Sequence, residues 1–157
     1  MRIPVFIAAS FIALTGGATF ADPLPVSLPM YEKGAATYYV QGQIDGYGAT
    51  EFMVDTGSGY MTINEQILAA LKQQKMARYL RDLQGVMADG STQTVPVYEL
   101  SAVRIGSDCV ISKVEAAVFP GTTRPILGLS ALKRVAPFEF SIGPARLTLN
   151  GCSSSAI

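Results

Sequence analysis

Histidine and tryptophan are absent from this sequence, and cysteine occurs only twice. Without an imidazole there is no Ser-His-Asp or Cys-His catalysis, no histidine metal site and no imidazole general base. Two cysteines cannot build a structural zinc cluster, so no metal is expected. No Gly-x-x-x-x-Gly-Lys or Gly-x-Gly-x-x-Gly run exists to cradle phosphates, and no organic cofactor is implied. Charge is sparse and balanced, 12 Lys and Arg against 12 Asp and Glu. No three basic residues stand in a row, so the electrostatic footprint of a nucleic-acid partner is missing. If the chain is an enzyme, carboxylates are its obvious acid/base groups.

What is present begins with a leader-like order. Met1-Arg2 is followed by a mostly apolar stretch from Ile3 to Leu14, then small residues from Thr15 to Ala18, then Thr19-Phe20-Ala21. A positive start, a short apolar stretch and a small-residue exit predict a secretory signal over residues 1–21, cleaved after Ala21 or, alternatively, Ala18. The expected location is therefore periplasmic or secreted. The alternative is an uncleaved anchor in the inner membrane, although the apolar stretch is short of the roughly 20 residues that span a bilayer as a helix. In an oxidising compartment Cys109 and Cys152 can form a disulfide. Two separate thiols, or Cys152 pairing between chains, stay open, because sequence does not fix their separation.

At 157 residues with 49% apolar content, the chain has the size and composition of a single domain. Residues 22–35 contain Pro23, Pro25 and Pro29, which exclude a helix or a central strand and predict an extended arm. The domain is expected over residues 36–150. Tyr38 to Ile44 and Ala49 to Val54 flank Asp45-Gly46, a hairpin signal. Thr62 to Glu65 has the Ser/Thr-x-x-Glu form of a capping box, and Ile67, Leu68 and Leu71 follow on one helical face, which predicts a helix from Ile63 to Leu80. Further hairpins are expected over Gly85–Tyr98 around Asp89-Gly90, over Leu100–Phe119 around Gly106-Ser107, and over Phe138–Leu149 around Gly143-Pro144. Pro120 to Pro125 reads as a loop, Ile126 to Gly128 as a buried strand, Ser130 to Arg134 as a short helix, and residues 151–157 as a loose tail. The fold class is mainly β with one substantial helix.

The candidate site is where the apolar run Phe52-Met53-Val54 ends in Asp55-Thr56-Gly57-Ser58-Gly59. An acid there is costly unless hydrogen bonds or chemistry justify it. Gly57 can turn the backbone and donate its N–H to the carboxylate, Thr56 can anchor the loop, and Ser58 can reach the outer carboxylate oxygen. The tripeptide alone is a weak signal, because most Asp-Thr-Gly loops are ordinary turns.

Its context is more specific. A strand leading into Asp55-Thr56-Gly57-Ser58, then Ala88-Asp89-Gly90, then Ile126-Leu127-Gly128 with Leu129 to Leu132, and a final strand together resemble the retropepsin-like aspartic peptidases, nearest their bacterial single-lobe members. The resemblance spans Tyr38 to Leu149 and implies a closed β-barrel lobe. It implies that Asp55 is the catalytic acid and that Thr56 interlocks two active-site loops. It further implies that Ile126, Leu127 and Gly128 pack beneath those loops and that Gly85–Tyr98, with Ala88, Asp89 and Gly90, forms a flap over a protein or peptide substrate. Such an enzyme needs two carboxylates sharing a proton. The chain holds one Asp-Thr-Gly, so a homodimer is expected. The alternatives are a non-catalytic peptide- or protein-binding domain of the same fold, or a small secreted β-barrel in which Asp55 merely turns the chain. Asp89 is expected to be a turn-former, Tyr38, Tyr39 and Tyr60 core or cross-strand partners, and Arg124 a solvated loop charge.

Overall fold

The computed structural model describes residues 24–152. The expected signal at residues 1–21 and the last five residues of the expected tail lie outside them. Strands β1 (Val26–Pro29), β2 (Tyr31–Glu32), β3 (Tyr38–Ile44), β4 (Gly48–Val54) and β5 (Met61–Asn64) lead to helix α1 (Glu65–Gln73). Then come β6 (Ala77–Val86), β7 (Thr92–Ile105), β8 (Cys109–Phe119), β9 (Ile126–Leu127), helix α2 (Leu129–Leu132), a 3-10 turn at Lys133–Val135, β10 (Phe138–Ile142) and β11 (Ala145–Leu149).

Six strands close into a ring in the order β3-β4-β9-β5-β8-β7, with β7 returning to pair with β3. Closure removes the open edges that would otherwise invite pairing with other chains. At the seam Gly42 pairs with Ile105, and a side chain on Gly42 would stand 2.4 Å from the Arg104 carbonyl oxygen. The barrel is mainly β with two short helices, as a retropepsin-like lobe requires. Its interior is filled by the inward members of each strand, among them Val40, Ile44, Phe52, Met61, Ile63, Leu100 and Ile105, each no more than 1% exposed. Burial of one such side chain contributes about 1.5–3 kcal/mol.

Outside the ring, β2 extends β3 and β6 extends β7, and a separate sheet runs β1-β11-β10. The proline-bearing arm is therefore extended, and it is also paired: Val26 to Pro29 lie antiparallel to Arg146 to Leu149. As an edge strand, β1 tolerates the missing N–H of Pro29. Cys109 and Cys152 are joined by a disulfide, with Cα atoms 4.9 Å apart and a separation of 43 positions in sequence. The bridge ties the start of β8 to the chain just beyond β11, and closing a loop of this length contributes about 2–4 kcal/mol. Gly151 donates its N–H to the Val135 carbonyl and Cys152 is buried, so the expected tail is fixed at its beginning.

The helix prediction needs correction at both ends. Asn64, not Thr62, caps α1, its Oδ1 accepting the Ile67 N–H at 2.9 Å. Thr62 belongs to β5. The helix stops at Gln73 because its apolar stripe stops at Leu71. The next positions in phase, Lys75 and Arg78, are charged, and Lys75 has a positive φ of 57°. Residues from Ala77 onward instead pair with β7 as β6. No helix among the described residues is long and apolar enough to cross a membrane.

Candidate active site

Strand β4 carries the chain from the core to the loop at Asp55. Phe52 is fully buried, and the Asp55 side chain emerges half-buried at the end of the strand. The Gly57 N–H donates to Asp55 Oδ1 at 2.9 Å, as the loop chemistry predicts. Ser58 does otherwise. Its hydroxyl donates to the Tyr60 carbonyl oxygen at 2.7 Å rather than to the carboxylate. The hydroxyl finds a main-chain acceptor two residues on, and among the described residues the carboxylate accepts from Gly57 alone. Thr56 and Gly57 are exposed on the single chain.

The Ile126-Leu127-Gly128 segment lies directly beneath this loop. Met53 and Val54 run parallel to Ile126 and Leu127, the Asp55 N–H donates to the Leu127 carbonyl at 3.2 Å, and the Leu129 N–H donates to the Ser58 carbonyl at 2.9 Å. A Cβ on Gly128 would stand 2.1 Å from the Tyr60 carbonyl oxygen and 2.9 Å from that of Ser58, so no other residue fits without moving the loop. Ser130 adds a bridge that sequence reasoning did not assign. Its hydroxyl accepts the Met61 N–H and donates to the Glu115 carbonyl, both at 2.7 Å, joining the loop's exit to β8 through α2.

Above the loop, the β6–β7 hairpin arches over a cleft of about 440 Å³, within the usual range for ligand sites. Asp55, Gly57, Ser58, Gly59 and Tyr60 form one wall. Leu83, Gly85, Val86, Met87, Ala88 and Val95 of the hairpin form the other, with Ala117, Phe119 and Ile126 between them. Of the three residues expected at the flap, Ala88 lines the cleft. Asp89 and Gly90 make the turn itself. Asp89 Oδ1 accepts both the Ser91 N–H at 2.9 Å and the Ser91 hydroxyl at 2.6 Å, and these hydrogen bonds hold its carboxyl below the usual carboxylate range.

Three further residues near the cleft make contacts that the sequence did not reveal. Arg81 on β6 donates to the Tyr60 hydroxyl at 2.9 Å and to Glu115 at 2.6 Å, with its guanidinium 5.9 Å from the Tyr60 ring centre. The Glu115 and Tyr60 hydrogen bonds raise its already high pKa further, so this clamp between hairpin base and loop stays charged. Arg81 lay just past the overextended helix, so its strand direction was hidden. Arg124, expected to be solvated, donates to the Tyr39 hydroxyl at 3.0 Å. Thr62 lines the cleft with a buried hydroxyl that has no partner among the described residues.

A family model described as "gag-polyprotein putative aspartyl protease" matches residues 40–134. The chain belongs to this aspartyl protease family. The match runs from β3 through the Asp55 loop, the β6–β7 hairpin and the Gly128 segment to the turn after α2, which is the stretch that assembles the cleft. In fold the chain is similar to a retropepsin-like aspartic protease from Rickettsia conorii, with a TM-score of 0.57 and 20% identity over 80% of this chain and 89% of that one. No curated protein matches.

Proposed function

We propose that this aspartyl protease homologue is an endopeptidase that works outside the cytoplasm as a two-fold homodimer, hydrolysing an extended peptide with one water held between Asp55 and its symmetry copy. The observation that carries the reading is the Asp55 carboxylate itself. It is delivered by a core strand to the wall of a peptide-sized cleft, fixed by one N–H, with its remaining acceptor capacity unspent among the described residues.

Two carboxylates brought together across a two-fold axis cannot both ionise comfortably and share one proton. The ionised one takes a proton from the water as the water oxygen bonds to the scissile carbonyl carbon, and the protonated one gives its proton to the carbonyl oxygen. The tetrahedral diol then collapses, the C–N bond breaks, and a proton passes to the departing nitrogen. The pair titrates as a unit, so pH dependence belongs to both chains together. The exposure of Thr56 and Gly57 on the single chain leaves the outer face of the loop open to its copy. An exported location is supported by the leader-like order at the N-terminus and by the Cys109–Cys152 disulfide, which persists in oxidising compartments.

The test is cleavage of an unstructured protein from acidic to neutral pH by the purified chain and by Asp55→Asn. Cleavage by the first and none by the second supports the peptidase. A folded, dimeric wild type that binds peptide in the cleft but never cleaves it would make the domain a binder instead.

A further inference from the structure

The basic side chains of this protein fall into two groups. Lys33, Arg78 and Arg81 are paired with carboxylates, Lys72 lies over the Tyr98 ring, and Arg104, Arg124 and Arg146 are engaged in further contacts. The side chains of Lys75, Lys113, Lys133 and Arg134 have no partner among the described residues.

These unpaired cations are gathered in one place. Lys113, Lys133 and Arg134 border a groove of about 490 Å³, and Lys75 and Lys113 border a second of about 310 Å³. Shared walls join both grooves to the cleft. Gly59 and Tyr60, just past the Asp55 loop, border the cleft and the first groove, while Glu99 and Lys113 border both grooves. A continuous track therefore leaves the cleft past Tyr60 and runs beside β8 to the turn after α1. Its acids do not cancel its bases, because Glu99 and Glu115 are already held by Arg78 and Arg81 of β6. Lys75 and Lys113 also stand at positive φ, 57° and 54°, where glycine would be easier. Backbone of this kind gathers at binding sites, where the surrounding structure enforces it.

We propose that this track binds an acidic stretch of the substrate lying beyond the residues that fill the cleft; this rests on the peptidase reading above. An extended chain leaving the cleft turns successive side chains to opposite faces, so acids on alternate positions would meet the track. Cations without a partner gain from an opposite charge and lose no existing contact. In the two-fold dimer an off-axis track occurs twice, once on each side of the scissile bond. Carboxylates set between the cations suit a peptide with spaced acids better than a continuous phosphate backbone.

The experiment compares cleavage and binding by the full chain, by the double variant Lys113→Glu with Lys133→Glu, and by Lys33→Gln, which lies off the track. A peptide carrying Glu residues outside the cleaved segment should show a kcat/KM about 10-fold above its Gln counterpart, a ratio that shrinks as salt is raised. The double variant should reverse this preference, towards a Lys-carrying peptide, and Lys33→Gln should behave as wild type. Fluorescein-labelled hexaglutamate, followed by anisotropy, needs no cleavage and should bind the double variant about 10-fold more weakly. Cleavage with no preference for Glu, or a preference that survives the charge reversal, overturns the track and leaves the Asp55 site standing. A chain that cleaves nothing, yet binds hexaglutamate through Lys113 and Lys133, removes the peptidase reading and keeps the track as a surface for acidic peptide. Oligothymidylate binding as tightly as hexaglutamate, or tighter, would overturn the assignment to peptide.

Discussion

The loop at Asp55 and the turn at Asp89 are built from nearly the same pieces. In each an aspartate is followed by glycine and serine within three residues, and in each Oδ1 accepts a backbone N–H from two positions on at 2.9 Å. They differ in where the serine goes. Ser91 turns back and gives its hydroxyl to Asp89, which satisfies the acid, holds it ionised and leaves an exposed turn. Ser58 turns away to the Tyr60 carbonyl, and Gly128 and Ser130 press the loop from below, so Asp55 is held firmly by its backbone and left with acceptor capacity at the cleft. On the proposed reading, an aspartate becomes a reactive group through what its neighbours withhold as much as through what they supply.

Replacing each acid by its amide tests this contrast most strongly. Asp55→Asn should lower peptidase activity by on the order of 10²–10⁴-fold, the usual range for loss of a positioned acid or base. Asp89→Asn, measured in the same assay, should stay within a few-fold of wild type. Gly128→Ala tests the support beneath the loop. Its new Cβ must displace the Tyr60 carbonyl, and we expect a loss of ~1–3 kcal/mol in denaturant unfolding together with a fall in activity. Ser130→Ala leaves the buried Met61 N–H without its acceptor and should cost about 1–3 kcal/mol by the same measurement.

The smallest effect concerns pH at the turn between β6 and β7. Because the folded carboxyl of Asp89 lies below its ordinary value of 3.8, its contribution to the turn is fully present above that value and lost as pH falls through the folded value. A side-chain titration by NMR should place the Asp89 midpoint below 3.8, and Ser91→Ala should raise it. A midpoint unmoved by Ser91→Ala would mean that the serine does not hold the acid.

Much of this contrast was legible in sequence, and the limits have physical causes. Hairpins at Asp45-Gly46 and Asp89-Gly90 were readable because turn chemistry is local. The order of the Asp-Thr-Gly loop, the Asp89-Gly90 hairpin and the Ile126-Leu127-Gly128 segment was readable because each motif has a fixed place along the chain. The end of α1 was misjudged because the helix was carried on to Leu80, although the apolar face ends at Leu71 and the next positions in phase, Lys75 and Arg78, are charged. The Ser58 hydroxyl was misdirected because sequence cannot say which of two nearby acceptors a rotatable O–H will choose. Ser130, Arg81 and the pairing of β1 with β11 all depend on partners 15 or more residues away, which no local pattern encodes.

The central claim is that one chain supplies half of a catalytic pair, and mixing tests it directly. Wild-type and Asp55→Asn chains are combined in equal amounts, allowed to exchange partners, and assayed at fixed total chain concentration. A shared site predicts about a quarter of the all-wild-type activity, because only dimers with two intact carboxylates cleave. Activity at about half, the value for chains that each carry a complete site, would contradict it.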